Sequence, residues 1–195
     1  MYIIGLTGGT GAGKTTALKV LRDMGALALD CDEIYHELLS NCDDMIAAID
    51  AEFRGVATDG KINRRKLAEI VWNEPPALLE LNSITHEFIS DEIHRRIDLF
   101  EDEGGTVTAI DAIALIESGQ DENCDVVVGI IAPVEKRTAR IMDRDNLSKE
   151  RALLRIKAQN PESFYIENCD HILENIYDTL EEFEKKCVEF FNEIL

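Results

Sequence analysis

The chain has 195 residues, 45% of them hydrophobic and 30% charged, a balance that suits one α/β domain with a real core and leaves no low-complexity tract. Its 39 acidic residues outweigh 20 basic ones to give a formal net charge of −19, a field that repels polyanions and argues against nucleic-acid binding. The five cysteines form no CxxC pair, which argues against a zinc site or a disulfide framework, and no apolar run approaches membrane-spanning length; the expectation is a reduced cytoplasmic protein without membrane association, a monomer or small homo-oligomer.

Tyr2 to Thr7 reads as a short buried strand ended by Gly8-Gly9, and Lys14 to Met24 shows helical spacing through Ala17, Leu18 and Leu21. Ala26 to Leu29 predicts a second strand, closed by Asp30-Cys31-Asp32 and followed by a helix from about Glu33 to Leu39. From Asp43 to Phe100 the pattern is helical almost throughout, broken by a loop near Thr58-Asp59-Gly60 and by Pro75-Pro76. This block, about 43–100, reads as a helical insertion; within it Ile70, Val71 and Trp72 are expected in the core.

Thr106 to Ile110 and Asp125 to Ala132 predict further strands, the second with the continuous apolar run of a central parallel strand. Helices follow over Val134 to Arg144 and Ser148 to Gln159, with Ser148 as N-cap, then a short strand over Asp170 to Leu173. The last segment is expected to bury Ile176, Leu180, Phe183, Cys187, Phe190 and Ile194 on one stripe of a helix. Strands alternating with helices predict an α/β fold with a parallel sheet of about five strands, whose ligands sit beyond the carboxyl ends of the strands.

The sharpest chemical signal is Gly8-Gly9-Thr10-Gly11-Ala12-Gly13-Lys14-Thr15, a full G-x-x-x-x-G-K-[ST] pattern between a predicted strand and a predicted helix. Glycines let such a loop wrap phosphate oxygens and present backbone N–H groups to them. Gly11, Ala12, Gly13, Lys14, Thr15 and Thr16 are therefore expected to bind the polyphosphate of ATP, with the Lys14 ammonium on the β- and γ-phosphates and the Thr15 hydroxyl on Mg²⁺. Asp111 ends the Thr106–Ile110 strand, where a carboxylate can hold Mg²⁺ or serve a turn. Asp30 and Asp32 close the strand after the loop's helix; either can orient an attacking hydroxyl or cap the next helix. Between Lys136 and Lys157 basic residues crowd one stretch of an acidic chain, the obvious place to hold an anion. No NKxD guanine-reading signature and no LSGGQ-type motif is present, which leaves small-molecule kinases favoured among P-loop proteins.

Beyond the loop, Asp30-Cys31-Asp32, Asn63 to Trp72, Ile84-Thr85-His86, Cys124 to Val128 and Arg140 to Asp145 resemble blocks of the dephospho-coenzyme A kinases, so that the resemblance covers nearly the whole chain. It implies a P-loop NTPase-type fold and transfer of the ATP γ-phosphate to the ribose 3′-hydroxyl of dephospho-CoA. It also implies Asp32, Lys14 and Arg140 as catalytic residues, Arg144 on a lid over about 134–160, and Arg64 and His86 holding the acceptor within the insertion. The chain departs from the family pattern in having Ile113 and Glu87 where a proline is usual, and Asn175-Ile176 where an N-D-G turn is familiar. A P-loop kinase for another small alcohol, or a regulator that binds ATP without transferring phosphate, are the competing readings.

Overall fold

The computed structural model describes residues 1–195, the side chain of Pro75 excepted. From the N-terminus the elements are β1 (Tyr2–Thr7), α1 (Lys14–Asp23), β2 (Leu27–Asp30), α2 (Cys31–Asn41) and α3 (Asp43–Glu52). A short hairpin of β3 (Ala57–Thr58) and β4 (Lys61–Ile62) leads to α4 (Arg64–Asn73) and α5 (Pro75–Asp102). Then come β5 (Val107–Asp111), β6 (Val126–Ile131), α6 (Val134–Asp145), α7 (Lys149–Lys157), α8 (Glu162–Asn168), β7 (His171–Glu174) and α9 (Leu180–Ile194). These form two compact units, Met1–Leu29 with Phe100–Leu195, and Asp30–Leu99.

The first unit is built on a five-stranded sheet in the order β2-β5-β1-β6-β7, and β1 pairs in parallel with both β5 and β6. Being central, β1 and β6 must be apolar on both faces, and all six residues of β6 are buried. Two aspartates start the ladder at its far edge. Asp125 donates its N–H to Ile3 O at 2.8 Å and accepts Ile3 N–H on its carboxylate at 2.7 Å; Asp170 repeats the arrangement with Val127 at 3.0 and 2.8 Å. Each carboxylate satisfies a strand N–H that has no next rung to join.

Ile4, Leu6, Val128 and Ile130 from the sheet pack with Leu21 of α1 and with Phe183, Cys187 and Phe191 of α9. The α9 residues recur every four positions, and the full burial of Phe183 and Phe191 stabilises the unit by roughly 2–3 kcal/mol each. The expected stripe is thus corrected: Phe191 is fully buried where Phe190 was expected, and Leu180 and Ile176 are 63% and 55% exposed. Four-residue spacing from Phe183 through Cys187 leads to Phe191, while Ile176 precedes the helix. The helix α8, between α7 and β7, was not anticipated.

In the second unit, α5 carries Leu81, Thr85, Ile89, Ile93 and Ile97 buried at every fourth position. The hydroxyl of Thr85 donates to Leu81 O at 2.9 Å, so a polar group is absorbed in that stripe without an unmet bond. The expected loop near Gly60 is the turn of the β3–β4 hairpin, anchored where Asp50 Oδ1 accepts from Gly55 N at 3.1 Å and Ala57 N at 2.8 Å. Trp72 is not in the core; it is 89% exposed. Leu67 is buried and Ile70 and Val71 pack beside it, and a residue five positions past Leu67 falls about 140° round the helix from it.

Candidate active site

The loop Gly8–Gly13 leaves the carboxyl end of β1 and enters the first turn of α1 at Lys14. At Gly8, φ is 141° and an added Cβ would lie 2.2 Å from the carbonyl oxygen of Ile130, so no side chain fits where the loop passes β6.

The loop's carbonyls are bonded from outside. Arg137 Nε donates to Thr10 O at 3.0 Å, Arg140 Nη1 to Gly11 O at 3.1 Å and Ala12 O at 3.3 Å, and Asn175 Nδ2 to Ala12 O at 2.8 Å. In a trans peptide the carbonyl and the following N–H point in opposite directions. Drawing the Thr10 and Ala12 carbonyls toward α6 and Asn175 therefore turns the N–H groups of Gly11 and Gly13 the other way. Among the described residues neither of those N–H groups has an acceptor within the protein. Two outward carbonyls and two inward donors at the start of a helix make a cup for an anion.

Lys14 reaches back across the loop, donating from Nζ to Gly8 O at 3.0 Å and lying 4.0 Å from Asp111 Oδ1. Asp111 is the last residue of β5 and pairs in register with Leu6 of β1, which brings its carboxylate beside the loop. Thr15 is exposed at the start of α1, and the half-buried Thr16 follows it.

Arg137 is 8% exposed and Arg140 half-buried, and among the described residues neither forms an ion pair. Burial draws both guanidinium groups below their ordinary pKa, though a guanidinium stays charged in water at neutral pH. Two partly dehydrated cations, bonded only to neutral oxygens, attract a multiply charged anion in a chain that is otherwise acidic. Arg144, a turn beyond Arg140, is exposed and bonded to the Asp145 carboxylate at 2.8 and 3.1 Å, a contact that raises its pKa.

Next to the cup is a cavity of about 250 Å³, with Gly13, Thr16, Arg140, Asn175, Thr179 and Phe183 among its walls. The planar guanidinium of Arg140, held by Asn175 Oδ1 at 3.0 Å, faces a space otherwise bounded partly by apolar side chains.

The other expected residues lie in the second unit. Asp30 takes the capping role: its Oδ1 accepts from Asp32 N at 2.9 Å and Glu33 N at 3.2 Å. The Asp32 carboxylate is left exposed in the first turn of α2. Arg64 opens α4 and donates to Ser40 Oγ at 3.2 Å; His86 is half-buried in α5 and forms no hydrogen bond among the described residues. None of Asp32, Arg64 and His86 bonds another of the three. The structure brings together the loop, Lys14, Asp111 and Arg140, and adds Asn175 and Arg137, the latter one of the basic residues crowded between Lys136 and Lys157. Arg137 was legible in principle, because Arg137, Arg140 and Arg144 recur at helical spacing. Asn175 enters the sequence reading only through the Asn175-Ile176 departure from the family's N-D-G turn.

A strand, an anion-cupping loop and a helix at the carboxyl end of the central strand of a parallel sheet, backed by guanidinium groups, define a P-loop nucleotide-binding protein of the kinase type. The dephospho-CoA kinase family model matches residues 2–181, and the chain belongs to that family: it is an ATP-dependent phosphotransferase of coenzyme A biosynthesis. The chain is 34% identical over 176 residues to the dephospho-CoA kinase of Moorella thermoacetica, covering 89% of this chain and 83% of the relative. Among solved structures it is similar to the dephospho-CoA kinase from Campylobacter jejuni, with 28% identity, a TM-score of 0.71 and coverage of 98% and 96% of the two chains. TT1252 from Thermus thermophilus is similar with 27% identity and a TM-score of 0.83, over 100% of this chain and 97% of that one.

Proposed function

We propose that the cup formed by Gly11 to Thr16 holds the ATP polyphosphate, that Asp32 activates the ribose 3′-hydroxyl of dephospho-CoA, and that Arg64 and His86 hold the acceptor. The single observation that carries the donor side is the pairing of outward carbonyls at Thr10 and Ala12 with unbonded N–H groups at Gly11 and Gly13. Lys14 and Arg140 bring positive charge to the oxygens of the transferring group, and Arg144 joins them once its bond to Asp145 is exchanged for phosphate. The cavity beside Arg140 receives the adenine, a flat base suited to the guanidinium plane.

The exposed carboxylate of Asp32 accepts the proton of the attacking hydroxyl as its oxygen bonds to the γ-phosphorus, and the bond to the β–γ bridging oxygen breaks to release ADP. A magnesium ion fits the donor set. Among the described residues no cluster of three or more His, Cys, Asp or Glu could enclose a metal, but the Thr15 hydroxyl and the Asp111 carboxylate are the hard oxygen donors that Mg²⁺ takes alongside phosphate oxygens and water. When bound, the ion would offset charge on the polyphosphate. Five free cysteines support a reducing, cytoplasmic location, and no helix is long and apolar enough to cross a membrane.

ADP release by the purified chain tests the acceptor. Dephospho-CoA is expected to stimulate it far above the rate with water alone; stimulation by a nucleoside monophosphate in its place would reject dephospho-CoA as the acceptor.

A further inference from the structure

The loop before Lys14 is four glycines, one alanine and one residue with a hydrogen-bonding side chain, Thr10. So many glycines leave the free loop with high conformational entropy, which nucleotide binding must remove unless the protein has already done so. All three polar groups of Thr10 are taken by two residues, one in α6 and one just after α7. Gln159 Oε1 accepts the Thr10 N–H at 2.9 Å, and Gln159 Nε2 donates to Thr10 Oγ1 at 2.8 Å. Arg137 donates to Thr10 O at 3.0 Å and also to Gln159 Oε1 at 2.8 Å. Both N–H donors need the amide oxygen, so the orientation of the Gln159 amide follows from its partners.

The anchor is itself held. Gln159 comes two residues after Lys157, the last residue of α7, and the next residue, Asn160, donates its side-chain amide to the Glu117 carboxylate in the segment after β5. Arg137 is 8% exposed, and an added Cβ on Gly9 would lie 2.1 Å from its Nη2, so the guanidinium is packed against the loop backbone.

We infer that Gln159 is a positioning residue for nucleotide binding: with Arg137 it fixes Thr10, and so preorganises the tip of the glycine loop for the polyphosphate without touching it. This rests on the reading of that loop as the nucleotide cup. Gln159 therefore acts on ATP and not on the acceptor, and its effect passes through Thr10.

The test compares the full chain with Gln159→Met, Gln159→Glu, Thr10→Val and the Gln159→Met/Thr10→Val pair. ATP and dephospho-CoA are varied separately, a fluorescent ATP analogue is titrated directly, and thermal unfolding is followed. Gln159→Met is expected to raise KM for ATP roughly tenfold, the loss of about one net hydrogen-bond energy. KM for dephospho-CoA stays where it was, even where the lost bonds lower the unfolding midpoint. Thr10→Val adds little in the Met background, and Gln159→Glu, which keeps the oxygen that both N–H groups need, recovers most of the ATP affinity. A merely structural role would shift the unfolding midpoint and both KM values together, and that result overturns the inference. An unchanged KM for ATP, or effects at positions 159 and 10 that multiply independently, does so as well. Should Gln159→Met not fold, Thr10→Val alone decides, because it keeps the backbone N–H and loses the hydroxyl: a rise in KM for ATP of about threefold supports the inference and wild-type behaviour overturns it. Wild-type protein that binds the analogue while Gln159→Met binds it equally well refutes the inference alone. Wild-type protein that fails to bind it refutes the nucleotide cup as well.

Discussion

Lys14 Nζ and Asp111 Oδ1 stand 4.0 Å apart with only 10% and 7% of their side chains exposed. Two opposite charges from different elements are thus held beside the loop, and the ammonium also donates to Gly8 O at 3.0 Å. Such a pair adds little net stability, but deleting one partner removes the nearby counter-charge of the other.

Lys14→Ala is accordingly expected to weaken ATP binding and turnover together, since the ammonium faces phosphate before and during transfer. It also lowers stability, because it removes the cation 4.0 Å from the buried Asp111 carboxylate. Adding Asp111→Asn in the same chain should return part of that stability and none of the activity. Urea unfolding and ATP titration of both variants check this.

Asp32→Asn should separate chemistry from binding. Its carboxylate is exposed and its assigned task is the acceptor proton, so turnover falls by about two to four orders of magnitude while ATP affinity is nearly unchanged. Single-turnover rates with bound ATP would read this directly; near-normal rates would remove Asp32 from the chemistry.

Asn175 bonds both Ala12 O and the Arg140 guanidinium and is 3% exposed. Asn175→Ala leaves a carbonyl and a guanidinium underbonded, at a cost of about 1–3 kcal/mol in stability. Because both lie against the cup, KM for ATP should rise more than KM for the acceptor, as initial-rate kinetics will show.

In the second unit, Glu92 accepts from Arg95 at 2.7 and 2.8 Å and from Arg96 at 2.7 Å, and Arg96 also bonds Glu37 of α2. The Arg95 bonds are the main cause that draws the Glu92 carboxyl down to about 2, against some resistance from burial. A carboxyl lowered on folding stabilises the protein above its unfolded pKa, and that contribution is lost as pH falls from about 4.5 toward 2. Glu92→Gln should therefore cost roughly 1 kcal/mol at pH 7, limited because solvent screens the exposed Arg95, and almost nothing near pH 2. Denaturation midpoints across that range are the measurement.

Burial pushes the thiols of Cys124 and Cys187 up to about 12 and that of Cys169 up to about 11. At pH 8 the thiolate of Cys187 is then roughly a thousandfold rarer than that of an ordinary cysteine. Iodoacetamide labelling followed by peptide mass analysis should leave these three unmodified in the native protein and label them after unfolding.

The glycine loop and its flanking β1 and α1 were legible because every relationship that makes them is local: an apolar hexamer, a glycine turn, then helical spacing. Ser148 was readable as an N-cap for the same reason, and its Oγ accepts Arg151 N–H at 3.4 Å. Trp72 is expected in the core together with its apolar neighbours Ile70 and Val71, whereas helical phase from Leu67 decides the matter. The α9 stripe failed by one residue at Phe190, since two adjacent phenylalanines both satisfy an apolar pattern and only packing against the sheet selects Phe191.

The order of residues alone determined that this chain carries a phosphate-binding loop between a strand and a helix, in a sheet of parallel strands, because backbone conformation there follows from neighbours in the chain. Tertiary structure decided what turns that loop into a cup. The groups that hold Thr10, Gly11 and Ala12 come from Arg137, Arg140, Gln159 and Asn175, more than a hundred positions away, and no spacing rule reaches across a fold to pair a carbonyl with its donor.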